Sequence, residues 1–199
     1  MFNPSYAAHT KYAFAFTETV AIAELLYQGL DRKTIKQRVV EDDLFQIRSR
    51  NSRQGAFQTI WQRLEKLPPE YVQLIATGHA DVRRFTVLFL ILLQHRLLRE
   101  LIVDVLLNKV HQFDLVVKAS DLRVFFETKR EESQTLSKWS KATYQKASSN
   151  TVLVLVGAGL LQPIKPKGTY EIWATPVPSA LKQQLIADGL DKLLILMLN

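Results

Sequence analysis

Residues 44–67 read LFQIRSRNSRQGAFQTIWQRLEKL. Arg48, Arg50 and Arg53 crowd a polar turn, and an amphipathic helix follows directly. Phe57, Ile60, Trp61, Leu64 and Leu67 recur at three- and four-residue steps, which is the spacing of one helical face. Glu65 is the only acid in the window. Basic side chains therefore meet the free N–H groups of a helix N-terminus, a place suited to phosphate. A helix-turn-helix presents its second helix to DNA in the same way. The helix is expected to begin at or near Ser52, with Asn51 or Ser52 as its cap. Gln54 is the best placed of these residues for a base contact. A competing reading pairs the arginines with Glu41, Asp42 and Asp43 just upstream, in a solvated loop. If the arginines hold phosphate, replacing all three by alanine weakens binding to every duplex. The fold should survive, because the site reads as polar and exposed.

Upstream, Thr17 caps a helix that Gly29 closes, with Val20, Ala23, Leu26 and Tyr27 as its apolar stripe. A second helix runs from Asp31 to about Glu41, with Ile35 and Val39 inward and Arg32, Lys33, Lys36 and Arg38 outward. Downstream, Pro68 stops the arginine-led helix and Pro69 opens the next, which ends at Gly78. Asp81 caps a long helical region reaching about Val110, with a break near His95. Its apolar run, FTVLFLILL at 85–93, is too short for a membrane span, which needs about 20 residues. Extending it takes in Arg96, Arg99, Glu100 and Asp104, so it reads as a buried helix. The run LLILML at 193–198 is shorter still.

The pattern changes near residue 112. Ser120 and Asp121 cap LRVFFETKREES, and Ser137 opens SKWSKATYQKASSNTVLVLVG. Two extended pieces follow, LLQPI and TYEIWATPV, joined by KPKG. A single final helix, SALKQQLIADGLDKLLILML, closes the chain. Three helices followed by a basic-tipped hairpin is the order of a winged helix-turn-helix, with Lys165 and Lys167 on the wing. Lys138, Lys141 and Gln145 share a helical face, and Lys146 lies beside them. Ser148, Ser149 and Asn150 suit a helix interior poorly, so the groove-entering helix begins either at Ser137 or at Ser149. An ordinary solvated face also explains these lysines, and a lysine tip also protects a β edge from pairing. The fold expected is mainly α, with two helix-turn-helix-containing halves, the second winged by a short β-hairpin. The expected divisions are residues 1–80, a central helical region 81–111, and residues 112–199.

Composition narrows the function. A net charge of +7 and a pI near 9.6 favour a polyanionic partner. The absence of cysteine excludes disulfides, zinc–thiolate sites and thiol nucleophiles. His9, His79, His95 and His111 are far apart and lack ligand spacing. GAG at 157–159 lacks a third glycine where Gln162 stands, and there is no P-loop or G-x-S-x-G. Asp42 and Asp43 have no partner acid or base for catalysis. Trp61, Trp139 and Trp173 read as packing residues. The expectation is a non-enzymatic protein without cofactor or metal. No signal-peptide pattern is visible, which points to the cytoplasm. No heptad seam is visible, which makes the monomer the default.

The stretch FTETVAIAELLYQGLDRKTIKQRVVEDDLFQIRSRNS, the R-L-x-x-L of 63–67, DLRVFFETK, SKWSKATYQK and L-x-x-x-G-x-x-L of Leu153–Leu160 resemble the BrxA family. That family supplies a small component of BREX bacteriophage-exclusion systems. The resemblance spans nearly the whole chain. It implies a helical protein with helix-turn-helix elements in both halves, and double-stranded DNA binding in phage defence. The family has also been likened to the antitermination factor NusB, and some members have been labelled inner-membrane proteins. The segment lengths here give no support to that label. The family offers no catalytic motif to transfer. Two alternatives to DNA binding stand beside it: an adaptor that docks other BREX subunits, and NusB-like RNA binding.

Overall fold

A computed structural model of the chain describes residues 3–198. Five helices come first: α1 (Phe16–Tyr27), α2 (Arg32–Val40), α3 (Arg50–Leu64), α4 (Pro69–Thr77) and α5 (Ala80–Gln94). Asp31 caps α2 by accepting from the Thr34 amide at 2.8 Å. Pro69 takes the first turn of α4. Residues Phe85 to Leu92 of α5 are buried on every side, as its unbroken apolar run predicts for a helix wrapped by others. Arg83 pins this corner, donating to the carbonyls of Ala76 and Gly78 and to Glu24 of α1. Among the described residues, no helix is long and apolar enough to cross a membrane.

The break expected near His95 is present, and the histidine makes it. His95 leaves the helical region, and its Nδ1 accepts the Leu98 amide at 3.3 Å, so the side chain caps α6 (Arg96–Leu101). A π-helical turn (Ile102–Leu107) and α7 (Asn108–His111) continue the line.

Past Phe113 the order is β1 (Val116–Val117), α8 (Ala119–Glu132), α9 (Gln134–Ser137), α10 (Lys141–Gly157), β2 (Leu161–Ile164), β3 (Thr169–Ile172) and α11 (Ser179–Ala187). The strands form one antiparallel sheet with β3 between β1 and β2. Val117 faces Tyr170, and Leu161 faces Ile172. The hairpin matches its sequence signal. Strand β1 does not have one, because two residues are too few for alternation to register. Pro163 sits on the edge strand β2, where a missing N–H costs nothing.

Several boundaries differ from expectation. Helix α5 starts at Ala80 after His79, so Asp81 is a first-turn residue, and α8 starts at Ala119, with Asp121 accepting the Lys118 amide from inside its first turn. Helix α1 starts at Phe16, with Ala15 left-handed at φ 45 before it, and Thr17 is an exposed first-turn residue. Helix α3 starts at Arg50 and is capped by Ser49, which accepts the Ser52 amide. The Asp43 carboxylate turns the chain earlier by accepting the Ile47 amide at 2.8 Å. Helix α10 starts at Lys141, because Ser140 accepts the Thr143 amide at 3.1 Å. It then runs unbroken through Ser148, Ser149 and Asn150: Ser148 bonds back to the Tyr144 carbonyl, and Asn150 finds an acceptor off the helix. The final segment is two pieces, because α11 ends before Asp188 and a 3-10 helix (Asp191–Met197) follows the turn at Gly189.

Residues 3–15 form an irregular arm that stitches distant elements together. Arg99 and Arg96 donate to the carbonyls of Asn3 and Pro4. The Tyr6 hydroxyl donates to Glu100 at 2.7 Å, and Tyr12 donates to the Ser52 carbonyl of α3 at 2.6 Å. Asn150 of α10 donates to the His9 carbonyl at 2.8 Å. Phe14 lies against Gly157, where an added Cβ would sit 2.7 Å from its ring. Arg63, buried in α3, donates to the carbonyls of Tyr12, Ala13 and Phe14. A continuous apolar core runs from Val20 to Met197, and α11 packs back on α4 and α5, where Tyr71 donates to Asp188. Trp61 and Trp139 pack as expected, whereas Trp173 is 47% exposed and donates to Glu171.

Candidate nucleic-acid interface

The turn between α2 and α3 places its arginines unequally. Arg50, the first residue of α3, grips Glu41 with two bonds, of 2.6 and 3.2 Å. That bond is the main reason the Glu41 carboxyl sits below its ordinary range. Arg53 lies 3.1 Å from Asp43, also donates to the Ile47 carbonyl, and has a side chain only 15% exposed. Pairing with upstream acids, the competing reading, therefore holds for both. Arg53 is structural enough that its loss would also disturb the turn, which corrects the expectation of an exposed triple site. Arg48 is exposed and forms no ion pair among the described residues. Asn51 and Gln54 face solvent in the first turns of α3, and Ser52 is half-buried beneath the Tyr12 hydroxyl.

The unneutralised charge lies one helix earlier. Lys33, Lys36 and Arg38 are exposed on α2 and form no ion pair among the described residues, while Arg32 stands 5.4 Å over the Trp61 ring. No acid interrupts α2. The sequence placed these residues on the outer face of the second helix without giving them a role. The signal was present in a helix carrying four cations and no acid, while the arginine-rich turn carries its own acids.

In the second half, Lys141 and Gln145 lie one helical turn apart on α10 and line one trough. Lys138 lies in the connection before α10 rather than on it, so it does not share that helical face. Lys146 is exposed on α10, and Lys165 and Lys167 are exposed on the β2–β3 loop. The loop's Gly168 approaches Ala119, so the hairpin tip stands beside the start of α8. Arg123 and Arg130 of α8 join Lys141 around the trough and were missed. Their seven-residue spacing, two turns on one face, was the available signal. Neither forms an ion pair among the described residues, and Arg130 stacks 5.3 Å from the Tyr144 ring centre.

The four histidines, distant in sequence, include one pair that the fold joins: His9 and His95 stack. Among the described residues, no group of three or more His, Cys, Asp or Glu side chains could hold a metal ion.

These features define a mainly helical protein with a small antiparallel sheet and two cation-bearing faces. The chain belongs to the BrxA family, whose model matches residues 5–176. It is 24% identical over 157 residues to BREX protein BrxA of Bacillus cereus strain H3081.97, covering 79% of this chain and 78% of that protein. It is 23% identical over 168 residues to BREX protein BrxA of Escherichia coli O9:H4 strain HS, covering 84% and 79%. A crystal structure of an uncharacterized protein from Magnetospirillum magneticum superposes with a TM-score of 0.79, over 98% of both chains at 19% identity, and so shares the fold.

Proposed function

We propose that the protein is a non-enzymatic, double-stranded DNA-binding component of a BREX bacteriophage-exclusion system. The observation that carries this reading is the set of exposed cations in two separate regions of the chain. Lys33, Lys36 and Arg38 stand on α2, and Arg123, Lys141, Lys146, Lys165 and Lys167 on α8, α10 and the β2–β3 loop; none forms an ion pair among the described residues. The order β1–α8–α9–α10–β2–β3, with β3 central, supports a winged helix-turn-helix in which α10 enters the groove and the β2–β3 loop is the wing. Helices α2 and α3 make the corresponding pair in the first half. Lysine and arginine reach mainly phosphate, so binding tolerates sequence and is driven by counterion release.

The test is an anisotropy titration with unrelated duplexes at several salt concentrations. With about six phosphates neutralised, log affinity falls against log salt with a slope near −5. A slope near zero, or no binding at low salt, overturns the reading in favour of an adaptor. Preference for duplex RNA over duplex DNA would move it to RNA binding.

A further inference from the structure

The trough between α8 and α10 has a volume of about 900 Å³. Its wall on α10 extends from Lys141 to Leu153, about 18 Å or three helical turns. Leu122, Phe126 and Val152 form an apolar floor, and Leu153 exposes 53% of its surface at one end. Arg123, Arg130 and Lys141 surround that floor, opposed by Glu127 alone. A phosphodiester backbone would bond the polar rim, including Gln145 and Ser149, and leave the apolar floor unused. An apolar stripe flanked by carboxylates matches both the floor and the rim.

We propose that this trough docks an acidic amphipathic helix from a partner protein. The partner's apolar residues at i, i+3 or i+4, and i+7 lie on Leu122, Phe126, Val152 and Leu153, in the manner of a helix in a groove. Its carboxylates meet Arg123 and Arg130 on one side and Lys141 on the other. The inference does not rest on DNA binding. Where both occur they exclude one another, because Arg123 and Lys141 face both ligands.

The test uses the full chain and a fluorescent designed helix of about 16 residues, with leucines on one stripe and glutamates beside it. Saturable binding is expected, with a loss of about tenfold or more in each of three cases. These are a scrambled peptide of the same composition, the Leu153→Glu variant, and the Arg123→Glu/Arg130→Glu variant. Leu153 and Arg123 are exposed and Arg130 only partly covered, and a thermal melt of each variant checks that it folds. Lys182→Glu, an exposed change on α11, controls for lost net charge and should bind the peptide normally. Absence of saturable binding, equal binding of the scrambled peptide, or an equal loss in Lys182→Glu overturns the proposal. So does a Leu153→Glu variant that loses duplex binding while no peptide binds, since the trough would then belong to nucleic acid.

Discussion

His9 and His95 stack with ring centres 4.2 Å apart and planes 27° from parallel, where the N-terminal arm crosses the break between α5 and α6. Burial, then the guanidinium of Arg63, holds His9 below its ordinary value of 6.5. The Gln94 carbonyl opposes that shift. Burial, then His9, Arg63 and Arg99, holds His95 well below the same value. Both rings are therefore neutral at neutral pH, and as the pH falls the unfolded chain takes up protons first. Their contribution to stability is complete above pH 6.5 and is lost progressively as pH falls below it. The melting temperature should be level near neutrality and fall in mild acid. His95→Asn keeps an acceptor for the Leu98 amide but cannot titrate. A melting series against pH should show a shallower acid limb for this variant, and an unchanged limb would assign the loss to other groups.

Arg63 is buried without an ion pair among the described residues, and burial lowers its pKa to about 10, so it stays charged at neutral pH. Three carbonyls of the arm share that charge. Arg63→Leu leaves those carbonyls without a donor and should cost about 3 kcal/mol. Chemical denaturation would measure this. Faster amide exchange in residues 3–15 would show that the arm had come loose.

Ser140 stops α10 from starting where periodicity alone would begin it. Ser140→Ala removes the cap on the Thr143 amide and should cost about 1 kcal/mol. That is roughly 3 °C in melting temperature for a chain of this size. Ser49→Ala, at the longer 3.4 Å cap of α3, should cost less.

The two candidate cation groups of the first half are separable. Lys33→Ala/Lys36→Ala/Arg38→Ala should weaken binding to every duplex and flatten the salt slope by about 2.7, if each residue meets one phosphate. Arg50→Ala should change affinity less, because Glu41 already neutralises it. The reverse ranking in a salt-dependent titration would return the interface to the N-terminus of α3.

Much of this architecture could be read from residue patterns. Gly29, Pro69 and the apolar run 85–93 act locally, and their elements appear where they signal them. The break at His95 was legible as a break, but not as a histidine cap, because imidazole is an uncommon cap residue. Strand β1 and the arm carry no periodicity. Both are held by partners far along the chain, such as Tyr170 for Val117 and Asn150 for the arm. For the candidate interface, spacing located Lys141 and Gln145 correctly on one helix. The pairing that neutralises Arg50 and Arg53 depends on how the turn folds back, and a linear charge count does not contain it.

The arm also bears on the order of assembly. Residues 3–15 leave the ribosome before nearly everything that fastens them: Arg63, then Arg96 and Arg99, and finally Asn150, 141 residues after His9. The first helices can form while the arm is still loose, and its last contacts close only once α10 has been synthesised. Full docking of the arm thus reports synthesis through α10, and in a ribosome-stalled fragment ending before residue 150 the stretch around His9 should be more open to protease.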